Sequence, residues 1–233
     1  MRASKAFFLL LVLIVLAVPV SAQEPQQVVE QLLRQQQPKR HLMDGIAVGA
    51  DLLGAGLKLA GNDWSQMEAF VRLNLYDKYF PVLELGYGEA DHEGRELDNH
   101  FAVKAPYFRI GADYCFTKQH NGNRLFGGLR YGYSNYEYDL DSPVPLTDPV
   151  WQTAQDFRHH GLSGNTHWVE AVFGVETRIW RIVSMGWDLR FKLRASQKSS
   201  EIGKPWYVPG MSMNDSSLNW GGTFKLVFDL TRR

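Results

Sequence analysis

The sequence predicts an all-β fold, an eight-stranded antiparallel transmembrane up-and-down β-barrel, and three observations carry the prediction. The first is alternation in the last third of the chain. Val183, Met185, Trp187, Leu189, Phe191 and Leu193 interleave with Ser184, Gly186, Asp188, Arg190, Lys192 and Arg194. Side chains alternate faces along a strand, so one face is apolar and the other polar. Leu218, Trp220, Gly222, Phe224, Leu226, Phe228 and Leu230 repeat the pattern against Asn219, Gly221, Thr223, Lys225, Val227 and Asp229. A helix would scatter those charges around its circumference, so the period of two decides for strand. The second observation is length. Soluble strands centre on about 5–6 residues, whereas a tilted strand crossing a bilayer needs about 9–11. The third is the rhythm of the connections. They are short after the second, fourth and sixth strands and longer after the third, fifth and seventh, as expected when both termini face the periplasm. The short first hairpin is the exception.

The strands follow in order. Strand one spans 45–60, with Ile46, Val48, Ala50 and Leu52 on one face, Gly49 and Asp51 on the other, and a bend expected at Gly54 and Gly56. The Gly61-Asn62-Asp63 turn leads to strand two, 64–77, with Met67, Ala69, Val71, Leu73 and Leu75 outward and Glu68, Phe70, Arg72, Asn74 and Tyr76 inward. Strand three, 80–91, sets Leu83, Leu85 and Tyr87 against Glu84, Gly86 and Gly88. Strand four, 101–116, sets Phe108, Ile110, Ala112, Tyr114 and Phe116 against Tyr107, Arg109, Gly111, Asp113 and Cys115. Pro106 lacks a ladder donor, which predicts a bulge or a strand rim.

Asn121-Gly122 marks the next turn. Strand five, 124–140, places Leu125, Leu129, Tyr131 and Tyr133 outward and Phe126 and Arg130 inward. A phase shift to outward Tyr136, Tyr138 and Leu140 predicts a bulge near Ser134-Asn135. The longest loop is expected over 141–166, followed by strand six, 167–180, with Glu170, Glu176 and Arg178 inward. Arg181-Ile182 turns into strand seven, and a loop over 196–217 precedes strand eight.

Composition narrows the function. The 233 residues carry 25 Lys and Arg against 25 Asp and Glu, so the basic footprint of a nucleic-acid binder is missing. One cysteine, Cys115, leaves no disulfide framework and no cysteine metal cluster. Residues 1–22 read as a signal peptide. Arg2 and Lys5 precede the apolar run from Ala6 to Val20, and Val20-Ser21-Ala22 supplies a small-residue cleavage site before Gln23. Residues 23–43, rich in Gln with Pro25 and Pro38, read as a periplasmic linker, with a partner-binding helix as the sharper alternative. Residues 44–233 form the barrel domain.

The inward charges are Arg72, Arg109, Arg130, Arg178, Arg190, Lys192, Arg194 and Lys225, against Asp51, Glu68, Glu84, Asp113, Glu170, Glu176, Asp188 and Asp229. An eight-stranded barrel is just wide enough for its own side chains to fill. Buried charges need partners to offset desolvation, so these sixteen read as a lumen ion-pair network, with a conducting pore as the alternative. Trp64, Tyr79, Phe80, Tyr136, Tyr138, Trp168, Trp180 and Phe228 fall near strand ends, as interfacial aromatic girdles do.

The 141–166 loop offers Asp156, His159, His160 and Ser163, and the third connection offers Asp91, His92, Glu93 and His100, but no spacing among them matches a hydrolase. No catalytic residue, metal site or cofactor is assigned. The expected partners are outer-membrane lipid and the barrel-assembly machinery, with no nucleic acid and no nameable ligand. A barrel enzyme modifying outer-membrane lipids and a soluble lipocalin-like lipid carrier are the alternatives to a structural, adhesive or ligand-binding surface protein. In the carrier, the apolar face would point inward.

Four segments carry a resemblance. Lys78-Tyr79-Phe80-Pro81-Val82-Leu83-Glu84-Leu85-Gly86-Tyr87-Gly88, Leu146-Thr147-Asp148-Pro149-Val150-Trp151, His167-Trp168-Val169-Glu170-Ala171-Val172-Phe173-Gly174 and Ile202-Gly203-Lys204-Pro205-Trp206-Tyr207-Val208-Pro209-Gly210 resemble an uncharacterised Bacteroidota family of outer-membrane-type β-barrels, a domain of unknown function. The resemblance spans about residues 44–230. It implies compartment and barrel, and no activity. In its last string, Pro205 and Pro209 stiffen an outer loop, and Trp206 and Tyr207 are the candidates for ligand contact there or for packing over the barrel mouth.

Overall fold

A computed structural model describes residues 42–43, 45–54, 56, 61–94, 100–117, 123–147 and 154–231. The expected signal peptide, the linker apart from Leu42 and Met43, the Asn121-Gly122 turn and the segment 148–151 lie outside them.

The long strands are β1 (Gly45–Asp51), β2 (Trp64–Asn74), β3 (Tyr79–Glu93), β4 (His100–Cys115), β5 (Arg124–Thr147), β6 (Ala154–Trp180), β7 (Val183–Lys198) and β10 (Leu218–Asp229). Between β7 and β10, the short strands β8 (Tyr207–Val208) and β9 (Ser212–Met213) pair as a separate two-stranded sheet. Each long strand pairs antiparallel with the next along the chain, and β1 pairs with β10, so the eight-stranded sheet closes into a barrel. Closure leaves no sheet edge along the wall. The β2–β3 turn holds Tyr76 and Asp77 at φ of 57° and 53°. The Asn74 side chain accepts from Asp77 N at 3.0 Å and donates to Asp77 Oδ1 at 2.6 Å, which steadies that left-handed backbone.

The parity read from the sequence holds on the long strands except in the upper part of β5, and the charged face points inward. Outside lies a belt of exposed apolar side chains, among them Met67, Leu85, Ile110, Leu129 (66% exposed), Phe173, Leu189, Phe191 and Trp220 (77%). The turns after β2, β4 and β6 mark one end of the barrel, called the base here, and the β8–β9 hairpin marks the other.

Several boundaries and facings differ from expectation. Strand one ends at Asp51 rather than near 60, and strand two ends at Asn74, so Tyr76, expected inward, is exposed in the turn that follows. Most of the expected 141–166 loop is strand, because β5 and β6 continue as a long hairpin to Thr147 and from Ala154. No bulge lies at Ser134-Asn135. The pairs Tyr133↔His167, Ser134↔Thr166, Asn135↔Asn165 and Tyr136↔Gly164 run in one register, and the first irregularity comes between Tyr138 and Leu140. Pro106 makes neither a bulge nor a rim. The β4–β5 ladder skips from Val103↔Tyr138 to Tyr107↔Ser134 in unchanged register, a gap that spares the missing N–H.

Four of the eight aromatics expected in girdles are inside: Phe80, Tyr136, Tyr138 and Trp168 are buried, and Trp64 is half-buried. Tyr79, Trp180 and Phe228 are exposed. The phase shift expected in strand five is therefore a change in the polarity of the two faces. Beyond Ser134 the inward residues become apolar and the outward ones polar. Toward the hairpin end, Phe101, Val103, Ala105, Tyr107, Tyr136, Tyr138, Leu162 and Trp168 form one apolar cluster inside the barrel. Outside the same stretch, Asp91, Lys104, Asn135, Glu137 and Ser163 are exposed. The barrel is thus charged inside and apolar outside over its lower part, and the reverse above.

Candidate functional site

The lumen charges sit at alternate positions of neighbouring strands, so pairing register decides which meet. Glu84 of β3 lies opposite Arg109 of β4, and Glu170 of β6 lies between Arg130 of β5 and Lys192 of β7. Glu84 is fully buried at the centre. It accepts from Arg190 Nη1 at 2.8 Å and Nη2 at 3.1 Å, from Arg130 Nε at 3.3 Å and from Lys225 Nζ at 3.4 Å, with Arg109 Nε at 3.4 Å. Glu170 accepts from Arg109 Nη1 at 3.1 Å, Arg190 Nη1 at 3.1 Å and Trp168 Nε1 at 2.7 Å. Glu68 accepts from Arg109 Nη2 and from the Tyr107 hydroxyl at 3.0 Å. Asp188 holds Arg190 Nε at 2.9 Å, Lys225 Nζ at 2.8 Å and the Thr223 hydroxyl at 2.6 Å.

A second cluster lies toward the base. Glu176 takes both Arg72 terminal nitrogens at 2.8 and 3.0 Å and Arg124 Nε at 3.0 Å, and Asp113 takes Arg130 Nη2 at 2.6 Å. Arg124 also lies over the Phe80 and Phe126 rings, 4.6 and 4.4 Å from their centroids. The space enclosed by Arg72, Asp113, Arg124, Glu176 and Lys225 measures about 10 Å³, close to one water. Arg124 Nη1 is buried there without a protein partner among the described residues.

Of the sixteen residues expected in an ion-pair network, eleven pair inside the lumen: Glu68, Arg72, Glu84, Arg109, Asp113, Arg130, Glu170, Glu176, Asp188, Arg190 and Lys225. Five do not, and each has a physical reason. Asp51, at the end of β1, accepts from the backbone N–H groups of Leu53 and Phe224 instead. Arg178 and Asp229 are half-buried at the base and make no ion pair among the described residues, since water reaches them there.

Lys192 and Arg194 are committed to the β7–β10 connection. Lys192 Nζ donates to the carbonyls of Gly210 at 3.0 Å and Met211 at 2.8 Å. Arg194 donates to Gln197 Oε1 at 2.6 Å, Ser216 O at 2.7 Å and Asn214 Oδ1. Arg124 is the cation that the sequence-based list omits. It has the same even parity as Phe126 and Arg130, and extending that parity by one step to the strand's first residue finds it.

The connection they hold is a cap. Pro205, Tyr207, Val208, Pro209, Gly210 and Met211 are buried, and Tyr207, Val208 and Met211 join the apolar cluster in the barrel mouth. Tyr207, a candidate for outer contact, is therefore unavailable to an external ligand. Its ring stacks on Trp64 with centroids 6.0 Å apart, and its hydroxyl accepts from Gln66 Nε2 at 2.6 Å. Burial pushes the Tyr207 phenol well above its ordinary value. Trp206 stays half-buried, parallel to the His92 ring at 4.2 Å, while His92 Nδ1 meets Asp63 Oδ2 at 2.8 Å.

Gly210 makes the cap possible. Its φ is +81°, and a Cβ there would lie 2.5 Å from the Tyr107 ring. Below, Gly86 faces the same ring and Gly132 the Trp168 ring, each where a Cβ would fall 2.2 Å away. Small residues opposite large ones fill the tapering interior.

The model of a family described as a domain of unknown function, DUF6048, matches residues 3–230. The chain belongs to that family. No curated protein matches the chain.

The loop residues weighed for catalysis in this DUF6048 chain do not form a nucleophilic constellation among the described residues. His100 Nε2 meets Asp91 Oδ1 at 2.8 Å, and His160 lies 3.6 Å from both Asp139 and Asp141. No serine hydroxyl is hydrogen-bonded to a described histidine. Chemically, the lumen is a set of mutually neutralising fixed charges under an apolar lid.

Proposed function

We propose that this protein is a small outer-membrane β-barrel with a plugged, charge-paired lumen, serving a structural, adhesive or ligand-binding role at the cell surface. The observation that carries the reading is the inversion of polarity along the barrel. Where the interior is charged, the exterior is apolar; where the exterior turns polar, the interior becomes an ordinary apolar core. A barrel surrounded by water along its whole length gains nothing from an apolar exterior. One surrounded by lipid over part of its length needs such a belt, and can keep its charges only inside.

The dimensions support the same reading. From Val183 to Leu193 the ten steps of strand span about 33 Å at about 3.3 Å each. A tilt of about 40° projects that to about 25 Å, the usual height of an outer-membrane apolar band. Export through a signal peptide cut before Gln23, insertion by the barrel-assembly machinery, Bacteroidota origin and outer-membrane lipid as the surrounding partner belong to this proposal. The carrier reading finds less support, because it needs the apolar strand face to line a cavity and that face is outside. The enzyme reading has no constellation among the described residues to rest on.

Cell fractionation with gel migration before and after boiling tests the proposal. Recovery in the outer membrane with a heat-dependent shift is expected. Leu189→Arg, at the middle of the belt, places a charge that costs about 2–4 kcal/mol at a bilayer midplane, and Phe224→Arg acts alike. Both should reduce assembled barrel. Recovery of the parent protein in the soluble periplasmic fraction would refute the membrane assignment.

A further inference from the structure

We infer that the free edge of the long hairpin pairs with the same edge of a second copy, joining two barrels that point in opposite directions. The inference rests on the membrane reading only for where the partner comes from. The β6 strand starts at Ala154, but its ladder with β7 starts at Asn165↔Lys198. From 154 to 164 β6 therefore has β5 on one side and no strand on the other, and no backbone hydrogen bond to it appears from that side among the described residues. An unpaired edge in strand conformation is a template for another strand.

The lower part of the edge, 161–164, borders an open cleft of about 550 Å³ with Ser199, Ser200 and Glu201 on its other side. The upper part, 154–160, pairs with no described strand on that side. Its side chains say what fits. Asp156 and Arg158 share one face, both exposed, and neither makes an ion pair among the described residues. Natural edges are defended against self-pairing by charges that would repel a copy. Here the two signs alternate. A two-fold axis through Phe157 sets Asp156 of each copy opposite Arg158 of the other, twice over, and sets the two Phe157 rings side by side on the reverse face. Opposite charges and aromatic pairs across antiparallel strands are both stabilising. Of the centres available along the edge, this one alone matches the charges.

The symmetry also sets the arrangement. The two-fold of an antiparallel strand pair stands perpendicular to the sheet. In a barrel wall that direction is radial, so the rotation inverts the barrel axis. Two copies joined this way cannot lie side by side in one membrane in the same orientation. They belong to facing membranes, and the contact is homophilic.

Charge exchange on the full chain tests this. In detergent micelles the parent chain should show a concentration-dependent dimer by sedimentation equilibrium. Asp156→Arg and Arg158→Asp each set like charges opposite one another and should be monomeric at concentrations where the parent is dimeric. An equimolar mixture of the two variants should restore a heterodimer, which misfolded variants could not do. In reconstituted vesicles the parent should cause clumping. Asp156→Arg vesicles should not, until Arg158→Asp vesicles are added. A monomeric parent, or a dimer unmoved by either substitution, overturns the edge contact. A dimer in micelles without clumping of vesicles that hold inserted barrel overturns the facing arrangement. Failure to insert, read from heat-dependent migration, counts against the membrane reading and leaves the micelle experiment to decide the edge.

Discussion

Glu84→Gln probes the lumen at its most connected point. The side chain is fully buried, and four cations lie within 3.4 Å of its carboxylate: Arg190, Arg130, Lys225 and Arg109. Glutamine preserves the volume and removes the charge. Stripping one partner from a buried ion pair usually costs about 3–5 kcal/mol, because the other charge stays desolvated. The network limits the damage. Arg190 keeps Asp188 and Glu170, Arg130 keeps Asp113, Lys225 keeps Asp188, and Arg109 keeps Glu68 and Glu170. The expected loss is therefore near the lower end, about 3 kcal/mol. Reversible urea unfolding in detergent micelles, followed by tryptophan fluorescence, measures it against the parent. A loss under about 1 kcal/mol, the scale of exposed pairs, would mean that water enters the lumen freely and that the charges are not a sealed network.

Other outcomes follow from single contacts. Lys192→Met should weaken the cap by about 1.5–3 kcal/mol, the worth of hydrogen bonds to a charged donor; limited proteolysis between Pro205 and Met211 should speed up while heat-dependent migration stays unchanged. Gly210→Ala combines a left-handed backbone, costing about 1–2 kcal/mol, with a clash against the Tyr107 ring, and should release the cap more fully in the same assay. The Tyr207 phenol binds its proton more tightly in the folded cap than when unfolded. Its contribution is thus intact below about pH 10, the ordinary phenol value, and is lost as pH rises above that. Trp206 fluorescence should report alkaline loosening of the cap, and Tyr207→Phe should remove the transition.

Parity was legible from the sequence alone over most of the chain: which residues share a face on the strands other than the upper part of strand five, and how many long strands there are; it grouped sixteen charges on one face without showing which eleven of them pair. It follows from the fixed period of two in any strand, so Glu84, Arg109, Glu170 and Arg190 could be grouped before any contact was known. Arg124 escaped only because the parity was not carried to the strand's end.

Tertiary structure decided the rest. Alternation cannot say that Trp168 and Tyr136 point inward when the polarity of the two faces exchanges mid-strand. Alternation of polarity marks which residues share a face, but not which of the two faces is the interior, and no local period encodes that. Nor can it say that Tyr207 folds back into the mouth or that Lys192 grips the carbonyls of Gly210 and Met211. Those contacts depend on where the closing β1–β10 register places each strand and on a mouth wide enough to be filled by a loop. Sequence determined the faces of the strands, and closure of the sheet determined which residues meet across them.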